Sequence, residues 1–144
     1  MKKIALITVL VSLFGLSACA KGKQPIAFNK TPKAVQTAAL KNYTSEDILF
    51  IAKDKELGRD EYEFTLANGT KIEFFENGQL HSVKSKDGVM DVFIPKEILK
   101  YVRATFPNSI ITEYKYERWR QEIEINNDMD LIFSRKGKFL RIDD

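Results

Sequence analysis

The fold is decided by residues 61–84, which read EYEFTLANGTKIEFFENGQLHSVK. Apolar and polar residues alternate along this stretch, and the segment Tyr62-Glu63-Phe64-Thr65-Leu66 shows the pattern of a strand with one buried face. The pair Asn-Gly occurs at 68–69 and again at 77–78. This pair accepts the positive φ angles of a tight hairpin turn. The stretch therefore predicts consecutive antiparallel strands with one face in the core and the other facing outward.

The same pattern returns in residues 120–142, RQEIEINNDMDLIFSRKGKFLRI. Upstream, helical patterns begin at Pro32 and at Pro95, which are 63 residues apart, whereas the strands repeat at a spacing of 59. The spacing falls from 63 to 59, which indicates that the first copy contains four additional residues, around residues 53–60. Paired positions of this kind predict a duplicated unit. The pairs at a spacing of 59 are Phe64/Ile123, Leu66/Ile125, Asn68/Asn127, Ile72/Leu131, Phe74/Phe133, Gly78/Gly137 and Leu80/Phe139.

Each copy predicts one helix followed by about four antiparallel strands. The apolar stripes of the helices should cover the apolar faces of the strands, which gives an α+β fold of two layers. The predicted strands are Ile48–Lys53, Glu61–Leu66, Thr70–Glu76, Gln79–Lys84, Ile110–Arg118, Arg120–Asn126, Met129–Ser134 and Lys138–Ile142.

The N-terminus predicts a lipoprotein signal peptide over residues 1–18. Two lysines precede an apolar run of 13 residues, which is short for a membrane span and fits the central region of a secretory signal. The run ends in Leu16-Ser17-Ala18-Cys19, which resembles the lipobox of bacterial lipoproteins. In those proteins the cysteine is acylated and becomes the new N-terminus. The alternative is a plain secretory signal in which the cysteine occurs by chance.

The lipobox reading makes Cys19 the lipidation site and the membrane a partner through the N-terminal lipid anchor. Because Ala20 rather than Asp follows the cysteine, we expect the periplasmic side of the outer membrane. Residues 19–29 lack a periodic pattern and predict a flexible tether. Residues 30–144 form the predicted folded domain, with repeat one at about 30–88 and repeat two at about 92–143.

The charge balance argues against a nucleic-acid partner. The chain has 23 basic and 20 acidic residues, and removal of Lys2 and Lys3 with the signal leaves 21 − 20, or +1. A nearly neutral surface of mixed sign is not that of a nucleic-acid binder. One cysteine excludes a disulfide framework within the chain, and one histidine argues against a histidine-based metal cluster. We therefore expect no metal and no cofactor.

These motifs resemble the PepSY-like, beta-lactamase-inhibitor-like family of bacterial envelope proteins. The motif residues are 62–69, 72–74 and Gly78 in the first copy, and 122–127, 131–133 and Gly137 in the second. The resemblance implies a tandem repeat that forms one continuous antiparallel sheet with helices on one face and the other face open. In the inhibitor that lends its name to the family, the open face grips another protein. The resemblance implies no catalytic residues.

Aromatic residues and arginines at outward positions are the candidate partner-binding residues. Phe75 and Ile132 lie out of phase with the buried residues of their strands, and further candidates cluster on the longest predicted strand. Trp, Tyr and Arg are the residue types enriched at interface hot spots. In the alternative reading, Tyr114 and Tyr116 close the core and Trp119 covers a sheet edge. The candidates are Phe75, Ile132, Tyr114, Tyr116, Trp119, Arg118 and Arg120.

The polar residues of the outward face predict no catalytic or metal site. His81 is expected at a surface strand position, and its neighbour Ser82 should point to the opposite face. The acidic residues are expected on a solvated strand face with interleaved lysines. These acidic residues are Glu61, Glu63, Glu73, Glu122, Glu124 and Asp130.

Two functions follow from this sequence. The first is a noncatalytic, lipid-anchored envelope protein that binds a protein or peptide through its open sheet face, with peptidase inhibition or regulation as one role. The alternative is a calcium- or small-ligand-sensing accessory protein that uses the acidic face. We do not expect an enzyme, because the sequence lacks a convincing nucleophile–base pair.

Overall fold

The structure is a computed structural model that describes residues 22–56 and 58–143. Three short 3-10 turns accompany the main elements at Phe28–Lys30, Ser45–Asp47 and Asp91–Phe93. The helices and strands in chain order are β1 (Gln24–Pro25), α1 (Lys33–Leu40), β2 (Ile48–Glu56), β3 (Arg59–Leu66), β4 (Lys71–Phe75), β5 (Leu80–Lys84), α2 (Lys96–Thr105), β6 (Ile111–Tyr116), β7 (Arg120–Ile125), β8 (Met129–Ser134) and β9 (Phe139–Asp143).

The nine strands form one open sheet in which sequence order is also spatial order. Every neighbouring pair is antiparallel, from β1 at one edge to β9 at the other. The predicted α+β class and the continuous antiparallel sheet are therefore confirmed. The two halves of the sheet are joined by the pairing of β5 with β6, which extends over three residue pairs only.

The β-bulges show the duplication in the backbone itself. The register shifts after Ile48 between β2 and β3, and after Ile111 between β6 and β7. His81 is the extra residue between β4 and β5, and Leu140 is the extra residue between β8 and β9. A bulge adds one unpaired residue and changes the local twist, so it is a specific feature of a strand. Its recurrence at equivalent positions identifies two copies of one unit.

The core lies between the helices and one face of the sheet. Phe64 and Phe74 are almost fully buried on this face and meet edge to face, with ring centroids 5.7 Å apart. Val35 of α1 and the residues Ile98 and Val102 of α2 are fully buried in the same hydrophobic cluster. The alternation in the sequence thus predicted the buried face correctly. We call the opposite face, which carries Glu61, Glu63, Glu73 and Phe75 in repeat one, the open face.

The segment predicted as a flexible tether contributes to the sheet. Within 19–29, residues Gln24 and Pro25 pair with Lys53 and Ala52 of β2 as a short edge strand. The backbone N–H of the next residue, Ile26, donates to a carbonyl of β2 at 3.0 Å. The prediction of a tether was therefore wrong for this part, because the exposed edge of β2 offers backbone partners that the sequence does not reveal.

The predicted signal peptide and Cys19 lie outside the described residues. Among the helices of 22–56 and 58–143, none has the length and apolar character that a membrane crossing requires.

We predict that three glycine-to-alanine substitutions destabilise the protein in a fixed order. Gly78, Gly137 and Gly69 all have φ angles near +80°, so each substitution carries a backbone cost of about 1 kcal/mol. A Cβ at Gly78 would lie 2.6 Å from the carbonyl oxygen of Ala34, whereas at Gly137 the nearest atom is the Cβ of Glu97 at 3.3 Å, and at Gly69 nothing lies within 4 Å. Overpacking adds about 1–3 kcal/mol. Urea unfolding should therefore rank Gly78→Ala as most destabilising, then Gly137→Ala, then Gly69→Ala. Equal losses of unfolding free energy for Gly78→Ala and Gly69→Ala would contradict the close approach between the turn at Gly78 and the helix α1.

Candidate functional site

A pocket opens where the two repeats stop pairing. Along β5 and β6 the ladder ends at the pair Ser82–Lys115, one residue before the bulge at His81. Beyond this point the strand ends separate, and the hairpin turns of both repeats surround the gap. The resulting pocket has a volume of about 460 Å³ and is lined by Arg59, Phe75, Gln79, Tyr116, Arg118 and Arg135. We call it the arginine–aromatic pocket.

Cations and rings alternate around the arginine–aromatic pocket. The guanidinium carbon of Arg59 lies 4.9 Å from the ring centroid of Phe75, which is a cation–π distance. Arg135 donates a hydrogen bond to the hydroxyl of Tyr116 at 3.0 Å. Next to the pocket, Trp119 is 73% exposed and has the guanidinium of Arg118 5.0 Å from its ring. Planar, weakly hydrated guanidinium groups held against rings are suited to bind carboxylates.

The structure brings most of the candidate partner-binding residues together. Phe75, Tyr116 and Arg118 line the pocket, and Trp119 and Arg120 are exposed on the hairpin beside it. Sequence reasoning missed Arg59 and Arg135, which come from other hairpins and join the pocket only through the sheet. Their only sequence signal is their position beside turns.

Two candidates are corrected because the structure buries them. Ile132 is 2% exposed, although it lies on the open face, since Glu122 and Arg141 flank it on the neighbouring strands. Tyr114 is 5% exposed and belongs to the core, as the alternative reading proposed. Burial raises the pKa of Tyr114 to about 12.

Tyr114 nevertheless helps to position the pocket. Its hydroxyl donates to Oε1 of the buried Gln121 at 2.8 Å. The amide of Gln121 donates in turn to the carbonyls of Ser134 and Arg135, both at 3.1 Å. This buried chain of hydrogen bonds fixes the turn that carries Arg135 to the pocket wall.

The open face of repeat one holds a second site, which we call the acid–histidine cluster: Glu61, Glu73 and His81. One donor atom from each residue lies within 4.8 Å of the others. His81 Nδ1 is 3.1 Å from Glu61 Oε1 and 3.7 Å from Glu73 Oε2. Imidazole and carboxylate groups at such distances can form ion pairs or hold a metal ion. Phe75 covers the cluster, with its ring centroid 4.6 Å from that of His81.

This cluster corrects two predictions about the outward face. His81 is 3% exposed and Glu61 is 5% exposed, so neither occupies the solvated position that was expected. Ser82 donates to the same oxygen of Glu73 that faces His81, at 2.7 Å, which places both neighbours on one face. The bulge is the reason, because the extra residue interrupts the alternation of side chains.

The lysines of the open face pair with most of its acidic residues. Lys23, from the segment before β1, binds both Glu63 and Glu73, the latter at 3.3 Å. Lys84 in the same way binds Glu113 and Glu124. The expectation of interleaved lysines on this face is therefore correct.

The pKa of Glu73 reflects these contacts. Burial is the largest influence and raises it. The hydrogen bond from Ser82, the charge and hydrogen bond of Lys23 and the electrostatic influence of His81 together outweigh burial and leave the pKa below its ordinary value.

A third concave surface lies at the β1 edge of the sheet. It has a volume of about 450 Å³ and an apolar lining that includes Ile26, Phe28, Leu49 and Phe50. Leu49 is the bulge residue of β2 and is 72% exposed.

The chain belongs to the family described as "Putative beta-lactamase-inhibitor-like, PepSY-like". This family matches the chain twice, over residues 19–82 and 60–141, so it covers nearly all of the described part. The double match agrees with the repeated bulges and with the resemblance seen in the sequence.

Solved structures share the fold over nearly their entire length. A putative periplasmic protein from Bacteroides vulgatus ATCC 8482 is 25% identical with a TM-score of 0.77, and the match covers 85% of this chain and 100% of that one. Another from the same organism is 23% identical with a TM-score of 0.76, covering 87% and 99%. A putative calcium-regulated periplasmic protein from Bacteroides thetaiotaomicron is 25% identical with a TM-score of 0.75, covering 85% and 97%. No curated protein matches the chain.

We predict that Ser82→Ala raises the pKa of Glu73 and removes a pH-dependent part of the stability. A carboxyl whose pKa is lowered in the folded state stabilises the fold above its unfolded value of 4.5, and this contribution is lost as the pH falls through the folded pKa. The loss of unfolding free energy in Ser82→Ala should therefore be present at pH 7 and shrink below about pH 4. NMR titration of the Glu73 carboxyl and urea unfolding at both pH values measure the two effects.

Ser109→Ala is the matched control for this experiment. Ser109 is also buried, but its hydroxyl donates to the backbone carbonyl of Phe106 at 2.8 Å. Its loss should cost the same free energy at both pH values. An unchanged pKa of Glu73 in Ser82→Ala would contradict the role assigned to this hydrogen bond.

Proposed function

We propose that this protein is a noncatalytic, lipid-anchored periplasmic module that binds an acidic segment of another protein at the arginine–aromatic pocket. The observation that carries the proposal is the exposed Trp119, held with Arg118 beside a pocket that three arginines line. Restraint of a secreted peptidase is one role that such a surface would serve.

The chemistry of the pocket favours a partner with carboxylates. Among its described lining residues there are three guanidinium groups and no carboxylate. Arginine binds carboxylates through two parallel hydrogen bonds, which gives both orientation and free energy. A large exposed indole beside them supplies apolar contact area, and Trp and Arg are the residues that most often dominate interface energies.

The same residues support a binding role rather than catalysis. A nucleophile needs a neighbouring base within hydrogen-bond reach. The described residues that line the pocket offer arginines, aromatic rings and a glutamine, which are groups that bind and orient.

Lipid anchoring at Cys19 suits the position of the N-terminal segment. Only four residues separate Cys19 from Gln24 at the start of β1, so the two Cα atoms are at most about 18 Å apart when the chain is extended. An anchor there would hold the β1 edge near the membrane. The relatives of known structure are described as periplasmic proteins, which supports this compartment.

Calcium sensing, the alternative, has weaker support. One relative is described as calcium-regulated. In this chain, however, lysines already bind the open-face carboxylates Glu63, Glu113 and Glu124. Calcium takes six to eight oxygen ligands, and the acid–histidine cluster presents an imidazole nitrogen in place of one oxygen.

The single tryptophan provides a direct test of partner chemistry. We expect a tryptophan-free peptide of Glu, Leu and Ser to shift the emission of Trp119 and to saturate it, whereas the same peptide with Lys in place of Glu does not. Arg118→Glu and Arg135→Glu should each weaken binding on the order of tenfold, because each reverses a charge that faces the peptide. Fluorescence titration at two salt concentrations measures both effects, and binding should weaken at higher salt.

Lys86→Glu is the matched control, since it makes the same charge reversal on an exposed lysine outside the pocket. It should leave binding within about twofold of wild type. Equal binding of the acidic and basic peptides, or unchanged binding by Arg118→Glu, would overturn the proposed partner class.

The anchor is tested separately. In its native host, the protein should incorporate a radioactive fatty acid and sediment with membranes, and Cys19→Ser should abolish both properties. Labelling of the Cys19→Ser protein would show that the acyl chain is elsewhere.

A further inference from the structure

We propose that Glu61, Glu73 and His81 form a binding site for one divalent transition cation of the zinc class. This site lies on the open face of repeat one, and none of its three ligands lines the arginine–aromatic pocket.

The distances from His81 to the two carboxylates match the donor spacing around such a cation, and all three donor atoms lie within 4.8 Å of one another. Ligands at about 2.0–2.1 Å from a tetrahedral zinc ion lie about 3.3 Å from one another. His81 Nδ1 is 3.1 Å from Glu61 Oε1 and 3.7 Å from Glu73 Oε2, on either side of that value. One imidazole and two carboxylates are a ligand set suited to zinc, and they leave a coordination position for water.

The surroundings resemble the outer shell of a metal site. Ser82 donates to Glu73 Oε2 at 2.7 Å and thereby orients the carboxylate. Lys23 contacts the other oxygen, Oε1, at 3.3 Å, so Oε2 faces the cluster. Phe75 covers His81 from one side and limits access of water.

The second repeat shows that the fold does not need this cluster. The sheet register places Arg120, Ile132 and Leu140 of repeat two at the positions of Glu61, Glu73 and His81. The same backbone with the same bulge is thus compatible with an apolar pair and an arginine. Glu61 and His81 are nearly buried, and burying a carboxylate beside an imidazole costs desolvation free energy. A bound cation would offset that cost. The fold does not require the cost, because repeat two forms without these charged residues.

The cluster favours a transition cation over calcium. Imidazole nitrogen is a good ligand for zinc and its neighbours, whereas calcium prefers oxygen ligands in larger number. Two carboxylates balance the charge of one divalent cation, and a neutral imidazole adds a ligand without adding charge.

The test uses the purified, tag-free protein with Cys19→Ser, because the lone thiol would itself bind zinc. Calorimetry with Zn²⁺ should give one equivalent per chain. His81 is the only histidine, so its ring resonances in an NMR titration should shift with the same stoichiometry.

His81→Leu, which introduces the residue that repeat two carries at Leu140, should weaken binding on the order of a hundredfold. Glu61→Gln keeps the size of the side chain and should also weaken binding by at least about tenfold.

Glu122→Gln is the control on the open face of repeat two and should bind zinc as wild type does. Circular dichroism melting identifies any variant that is unfolded, and Glu61→Gln provides the evidence if His81→Leu fails to fold. Absence of stoichiometric zinc binding, or binding that is unchanged in a folded His81→Leu or Glu61→Gln protein, would overturn the site. Calcium binding as tight as zinc binding through the same residues would overturn the cation class.

Discussion

The short ladder between β5 and β6 is the constraint on which the rest of the molecule depends. Three residue pairs, with further backbone hydrogen bonds from Ser85 and Val89 to β6, join the two repeats in one sheet, and pairing stops where the bulge at His81 begins. Because the strand ends separate beyond this point, hairpin turns from both repeats meet around one pocket. Arg59 comes from the first repeat, and Arg118 and Arg135 come from the second. Neither repeat alone forms this surface.

Duplication kept the backbone of the unit and changed its chemistry. The bulge between the third and fourth strands of the unit recurs in both copies, with His81 in the first and Leu140 in the second. In repeat one, the bulge places His81 on the open face beside Glu73. In repeat two, the equivalent position beside Ile132 is apolar. The same geometry thus supports a polar cluster in one half and, in the other, a buried Ile132 beside a half-exposed Leu140, which is consistent with function residing in local sites on a common fold.

Sequence reasoning was correct where the signal is local. Alternation placed Phe64 and Phe74 in the core, and the Asn-Gly pairs marked hairpin turns whose glycines have positive φ angles. It failed where burial depends on residues far away in the chain. Lys23, in the predicted tether, binds Glu63, 40 residues away. Ile132 was predicted as a contact surface, yet side chains of neighbouring strands bury it.

The sequence by itself determined the repeat, the strands, the turns and the face that enters the core, because each depends on backbone preferences and side-chain alternation within a few residues. The family followed from the same motifs. Only the tertiary structure decided that His81 and Glu61 are buried together and that three arginines line one pocket. Those outcomes depend on a bulge that breaks the alternation and on the register at which two half-sheets join. Neither is encoded in any single segment, because both arise from pairing between strands that are distant in the chain.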